Sequence, residues 1–280
     1  MAVTTPSAAT PEQASRAEAP GHSVRLLHRL YTMVVAIPLM ALATAVFGTV
    51  SLICGLWDRD GSQQHLVART WAATLLRIAL SPVELVNAEC LRNAPVAVYA
   101  SNHLSYMDTP VVFAKLPFQF RILAKQGLWK LPFVGWYLKR SGQVPIDASS
   151  SRSAIAGLLR GVSALRSGMR LFVFPEGSRT VDGRLQTSAS GAAFMAIRAG
   201  VPLVPLALVG TYELLPIHVY SLRPRPLKMI VGEPIPTAGL TTKDADALTL
   251  KLHDAIAAMY YAHHPEMDVA GTGADSSSPE

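Results

Sequence analysis

The longest apolar run in the chain extends from Leu30 to Trp57, 28 consecutive residues without a charge, framed by Arg25, His28 and Arg29 before it and by Asp58, Arg59 and Asp60 after it. A helix needs about 20 such residues to cross a bilayer. Pro38, Gly48 and Gly55 interrupt the run, so its pattern predicts either a spanning helix or a kinked, re-entrant pair of short helices. The stretch Trp71 to Ser81 follows, apolar apart from Arg77 and small polar residues, and suits a place on a membrane surface or beneath a sheet. Residues 24–81 therefore read as a membrane-anchoring helical segment.

After Pro82 short apolar runs alternate with helical periodicity. Val83–Glu89, Val96–Ser101, Phe120–Lys125, Gly142–Asp147, Met169–Pro175, Pro202–Gly210 and Leu227–Ile235 read as strands. Met169–Pro175 and Pro202–Gly210 are apolar almost throughout, as strands buried on both faces are. Helices are expected at Pro110–Leu116, at Thr242–Tyr261, and around Ile155, Leu158, Leu159, Val162 and Leu165, the last closing at Gly168. This alternation predicts an α/β fold over residues 82–264, a mostly parallel or mixed sheet flanked by helices. Residues 1–23 and 265–280 are rich in small and polar side chains and read as disordered tails.

Composition narrows the class. Half of the 280 residues are hydrophobic and 16% are charged, below the ~25% of a soluble domain. The two cysteines, Cys54 and Cys90, exclude a disulfide scaffold and a Cys-based zinc site, and fit a reducing compartment. No cleavable secretory signal is expected. From Lys115 to Lys228 there are 16 Lys and Arg against 4 Asp and Glu, a balance of +12 that calls for an anionic partner. No basic helix, aromatic RNA-binding signature or zinc finger accompanies it, so anionic lipid, not nucleic acid, is the expected partner.

Two strings carry candidate chemistry. In SNHLSYMDTP (Ser101–Pro110), His103 and Asp108 lie five residues apart, about 140° around a regular helix, so they meet only in a turn. Pro110 suits the first position of the following helix, with Asp108 or Thr109 as its cap. A carboxylate near a helix N-terminus stays ionised and can hold the imidazole in one tautomer while the other ring nitrogen takes a proton from a hydroxyl. The second string, FPEGSRT (Phe174–Thr180), closes a buried strand. Its glycine lets backbone amides approach an anion, Arg179 can fork onto a phosphate, and Glu176 can pair with Arg179 or bind a polar head group. Taken singly, each string also fits an ordinary structural turn.

Taken together, the N-H-x-x-x-x-D turn, F-P-E-G-S-R about 70 residues later and the VPLVP strand (Val201–Pro205) resemble the glycerolipid acyltransferase family, whose best-known members are lysophosphatidic acid acyltransferases. Lys125, Pro132, Gly135, Gly142 and Ile146-Asp147 extend the resemblance, which runs from about Trp71 to Ile235. It implies a membrane-bound enzyme in which His103 is the general base, Asp108 orients it, and Lys125 with Glu176, Gly177, Ser178 and Arg179 holds the acceptor. The implied reaction takes an acyl group from acyl-CoA or acyl carrier protein to a lysophospholipid, without metal or cofactor, on the cytosolic side of the membrane. Gly127, Ala148 and Ser188-Ala189 depart from the family pattern and leave the acceptor open: a lyso-ornithine lipid or another lysophospholipid is the alternative. A non-catalytic lipid-binding protein is the rival class. Ser105 and Ser178 lack the G-x-S-x-G elbow of a hydrolase.

Overall fold

The computed structural model describes residues 22–91, 95–147 and 149–264, with the side chains of residues 22–25 left out. The expected tails lie outside the described residues except for His22 and Ser23, which open the first helix, and so does Ala148.

Helix α1 (His22–Tyr31) passes through a π-helical turn (Thr32–Ala36) into α2 (Ile37–Cys54) without a break. Pro38 stands in the first turn of α2, where a missing N–H costs little. The π turn just before it takes up the local irregularity, and Thr32 Oγ1 donates to the carbonyl of His28 at 2.6 Å. Gly48 also leaves the helix intact: a Cβ there would stand 3.0 Å from Cβ of Phe133, so the glycine admits that side chain against the helix. Helix α3 (Ser62–Ile78) doubles back along α2, tied to it by Trp71 Nε1 donating to Thr44 Oγ1 at 3.1 Å and Gln64 Nε2 to the Ser51 carbonyl at 3.1 Å. Ala68, Ala72, Leu75 and Leu76 of α3 are buried, which places the Trp71 to Ser81 stretch largely against the core. The opposite face of α1 and α2 exposes Leu30, Val34, Leu42, Val46, Val50 and Ile53. Leu26–Cys54, at a mean hydropathy of 2.2, is a candidate membrane segment.

The seven strands are β1 (Val83–Val86), β2 (Val98–Ser101), β3 (Phe120–Lys125), β4 (Val144–Ile146), β5 (Arg170–Val173), β6 (Leu203–Val209) and β7 (Leu227–Val231), in the spatial order β1-β7-β6-β2-β5-β3-β4. All neighbours are parallel except β6 and β7, so the sheet is mixed. Strand alternation splits the core in two. Tyr99, Phe172, Leu206 and Met229 pack with α3, α4 (Asp108–Lys115) and α5 (Val134–Arg140). Val98, Ala100, Leu171 and Val173 pack with α6 (Ser151–Arg166), α7 (Gly191–Ala199) and α9 (Ala245–Tyr261). A short α8 (Thr211–Leu214) follows β6.

Several elements are shorter than the sequence predicts. The strand expected over Val83–Glu89 stops at Val86, because Asn87 turns left-handed (φ 58°) and a 3₁₀ turn, Ala88–Leu91, follows. Gly142–Asp147 contributes only Val144–Ile146, and Met169–Pro175 only Arg170–Val173. The strands β2 and β5 are neighbours, yet β2 leads into α4 on one face while β5 leads into α7 on the other. Chains leaving in opposite directions open a crevice at the carboxyl ends of these strands, the usual ligand position of an open α/β sheet.

Candidate active site

The crevice is built from the two strings. At the end of β2, Asn102 closes onto the backbone of β6: its Oδ1 accepts from Leu208 N at 2.8 Å and its Nδ2 donates to Leu208 O at 2.9 Å. This side-chain pairing continues the ladder where the backbone of β2 turns away, and delivers His103 to the crevice. Asp108 is the first residue of α4 and is completely buried. Its Oδ2 accepts three N–H groups, from Leu104 at 2.6 Å, Ser105 at 2.8 Å and the imidazole Nδ1 of His103 at 2.8 Å. The expected arrangement, Pro110 opening the helix behind a cap at Asp108 or Thr109, is thereby corrected. The helix begins two residues earlier, and the carboxylate folds back onto the turn instead of capping.

The His103 ring lies stacked on Phe174, with centroids 3.9 Å apart and planes 13° from parallel. In the tautomer that donates Nδ1–H to Asp108, Nε2 is the nitrogen that carries the lone pair; the side chain is 12% exposed. Ser105 is not free for chemistry: its Oγ donates to the Leu215 carbonyl at 2.7 Å and accepts from Met107 N at 3.1 Å.

The second string grips the backbone of the same histidine. Glu176 Oε1 accepts from His103 N at 3.2 Å, and Thr180 N donates to His103 O at 3.2 Å. Burial pushes the Glu176 carboxyl up to about 8, against hydrogen bonds from the His103 and Gln186 backbones that favour its charge; the nearby Asp108 adds to the rise. Glu176 is thus largely protonated at neutral pH. Of the two roles the sequence allows Glu176, the pairing with Arg179 is not formed among the described residues, because the carboxyl turns to His103. Arg179 instead lies over the ring of Tyr106, 4.2 Å from its centroid, with Nε buried and unpartnered.

Gly177 takes φ +69° with open space where a Cβ would stand, leaving its backbone approachable. Ser178 is exposed and donates to Gln186 Oε1 at 3.0 Å. Lys125 is exposed at the carboxyl end of β3, one strand beyond β5. The structure thus brings His103, Asp108 and Glu176 into direct contact, and leaves Lys125, Ser178 and Arg179 around them without a shared hydrogen bond.

Beside the pair lies an apolar cavity of about 150 Å³, walled by Thr44, Phe47, Trp71, Phe113 and Phe133, and by Thr109, the residue after Asp108. No group of three or more His, Cys, Asp or Glu placed to hold a metal occurs among the described residues. Sequence reasoning passed over Asn102 and Tyr106. Their signal was present, since both lie inside the first string and a polar or aromatic side chain at a strand-end turn needs a partner.

The chain thus combines a mixed α/β sheet, a histidine in contact with a buried carboxylate at its switch point, and an apolar recess that reaches the residue after that carboxylate. Residues 82–209 match the family model described as Acyltransferase. The chain is 36% identical over 156 residues to a chloroplastic 1-acyl-sn-glycerol-3-phosphate acyltransferase of Arabidopsis thaliana, covering 54% of this chain and 42% of that protein. A chloroplastic counterpart from Brassica napus is 32% identical over 219 residues, covering 75% and 60% respectively. The chain therefore spans about half the length of these relatives. The crystal structure of the 1-acyl-sn-glycerophosphate acyltransferase of Thermotoga maritima superposes with a TM-score of 0.68 over 84% of this chain and 93% of that one, at 23% identity, and establishes the shared fold.

Proposed function

We propose that the chain is a membrane-bound O-acyltransferase that transfers a fatty acyl group from acyl-CoA or acyl carrier protein to the free hydroxyl of lysophosphatidic acid, giving phosphatidic acid. The observation that carries this reading is the 2.8 Å contact of His103 Nδ1 with buried Asp108 at the switch point, next to an apolar cavity. Nε2 of His103 takes the proton of the acceptor hydroxyl as its oxygen attacks the thioester carbonyl. Asp108 stabilises the resulting imidazolium. When the tetrahedral intermediate collapses, the C–S bond breaks and the leaving thiolate recovers the proton from His103. General-base assistance of this kind is worth about 10²- to 10⁴-fold, the remainder coming from holding thioester and hydroxyl together. Neither a metal nor a cofactor enters the scheme.

Lys125, Gly177, Ser178 and Arg179 are the residues assigned to the phosphate and glycerol of the acceptor, and Glu176, neutral near pH 7, sets no charge against that phosphate. The apolar cavity suits the acyl chain. The names of the chloroplast relatives support lysophosphatidic acid as acceptor. Gly127 and Ser188-Ala189, which supply no cation, keep another lysophospholipid or lyso-ornithine lipid as the second reading. The exposed stripe of α1 and α2 supports attachment to a membrane, with the site on the cytosolic side where soluble thioesters are found.

The test uses purified protein in detergent, a labelled long-chain thioester of either carrier, and lysophosphatidic acid, glycerol 3-phosphate, lyso-ornithine lipid, lysophosphatidylcholine or no acceptor, each beside His103→Ala. Phosphatidic acid formed by the unmutated protein and reduced about 10²- to 10⁴-fold in His103→Ala is expected. Product from a different acceptor moves the substrate and keeps the mechanism. No product from any acceptor would leave a non-catalytic lipid-binding protein as the better reading.

A further inference from the structure

Outside the site, the mechanism leaves unused an apolar surface that no segment among the described residues covers. It begins on α2 and does not end there. Gly48 of α2 receives Phe133, and Trp136 packs edge-on against Phe133 with centroids 5.3 Å apart while staying 51% exposed. Leu131 at 47% and Leu128 at 39% exposure extend the patch across the 3₁₀ turn Gln126–Lys130 and the start of α5. Exposed large side chains on a chain that folds them into short rigid turns, contiguous with a longer apolar stripe, mark an interaction surface. Its rim is cationic: Lys125, Lys130 and Lys139 are all exposed around it, and none makes an ion pair among the described residues.

We propose that residues 126–139 form a second membrane-contacting element, in which Leu128, Leu131 and Trp136 enter the interfacial layer of an anionic bilayer while Lys130 and Lys139 bind its head groups. An aromatic and leucine cluster flanked by lysines is the composition of segments that lie in that layer. Continuity decides for a lipid surface over a protein partner, since the patch and the apolar face of α2 meet at Gly48 and Phe133 and a bilayer touching one touches the other. The joint also coincides with the wall of the apolar cavity, to which Phe47 and Gly48 contribute from one side and Leu128, Phe133 and Val134 from the other. The inference rests on the membrane-bound reading above and goes beyond it by assigning a contact outside the N-terminal helices.

The full chain is floated with vesicles of phosphatidylcholine alone or with 30 mol% phosphatidylglycerol (~30%, enough to set an anionic surface), beside Leu131→Asp/Trp136→Asp and Lys130→Glu/Lys139→Glu. Removing two half-exposed apolar anchors should lower partitioning about tenfold on both vesicles. Reversing two lysines should lower it by roughly fivefold or more per charge on the anionic vesicles only. Trp136→Phe, which keeps the packing, should reduce the share of tryptophan emission quenched by brominated acyl chains. If the unmutated protein does not float, the membrane-bound reading itself falls. If it floats, while the aspartate variant floats equally and Trp136→Phe leaves quenching unchanged, the second contact is overturned. A protein whose self-association, and not its flotation, is lost in the aspartate variant has this surface between copies, which overturns the inference as well.

Discussion

At the scale of single residues the site is organised around hydrogen-bond acceptors that have more work than usual. Asp108 Oδ2 serves two backbone amides and the imidazole at once, so the turn that carries His103 and the charge that orients it share one atom. Asp108→Asn keeps the size and a carbonyl oxygen but removes the charge that favours the imidazolium and the correct tautomer. Its turnover should fall about 10²- to 10⁴-fold with little change in the Michaelis constant for either substrate, measured by steady-state kinetics. Glu176 gives a prediction of a different kind. Its carboxyl is raised from about 4.5 in the unfolded chain to about 8 in the fold. Between those values the unfolded chain releases a proton that the folded one keeps, so this group's contribution to stability is complete below pH 4.5 and is lost as pH rises through 8. Glu176→Gln carries no such proton. The melting temperature of the variant relative to the unmutated protein should therefore climb from pH 4.5 to pH 8 by calorimetry, and a constant difference would contradict the buried, protonated carboxyl.

At the scale of elements, close backbone approach explains what the local pattern left open. A Cβ on Gly135 would lie 2.3 Å from the carbonyl oxygen of Trp129, so α5 can begin against the preceding 3₁₀ turn only with glycine there. Gly127, in that same turn, has open space around it. Gly135→Ala should cost about 1–3 kcal/mol of stability, and Gly127→Ala about 0.5 or less, as read by denaturant unfolding. The α/β alternation and the His-Asp turn were legible because they rest on local patterns: apolar runs for strands buried on both faces, and a spacing that permits contact only outside a helix. Helix α7 was not legible, since Gly191–Ala199 is small and apolar apart from Arg198, so the sequence does not mark Ala192, Ala193, Met195 and Ala196 as the side that is buried. The grip of Glu176 and Thr180 on His103 was equally hidden, because it joins residues 73 and 77 positions apart through a strand pairing that no local pattern encodes.

At the scale of the whole molecule, the membrane-bound reading proposed above raises the question of how a 29-residue apolar helix and a folded domain would share a bilayer. Length alone would let Leu26–Cys54 cross a bilayer and carry its far end to the other side. The turn after that helix argues otherwise. Arg140 Nε donates to the Gly55 carbonyl at 2.5 Å, and Arg121 and Gln119 both donate to the Asp60 carbonyl, at 2.6 and 2.9 Å. Within the turn, Asp58 accepts from Gly61 N and Gln64 N. These partners sit on β3, on α5 and just before β3, so the far end of α2 is fastened to the domain itself. Carrying that end across a bilayer would break these hydrogen bonds, because the folded domain that supplies the partners would have to stay on the first side. The helix should therefore lie along one leaflet with its exposed stripe in the lipid, both ends on the side that holds His103. In sealed vesicles carrying the full chain with Cys54 and Cys90 changed to Ser, a membrane-impermeant maleimide added outside should label Arg59→Cys and Lys243→Cys to the same extent. Labelling of one from outside and of the other only after detergent would place α2 across the bilayer.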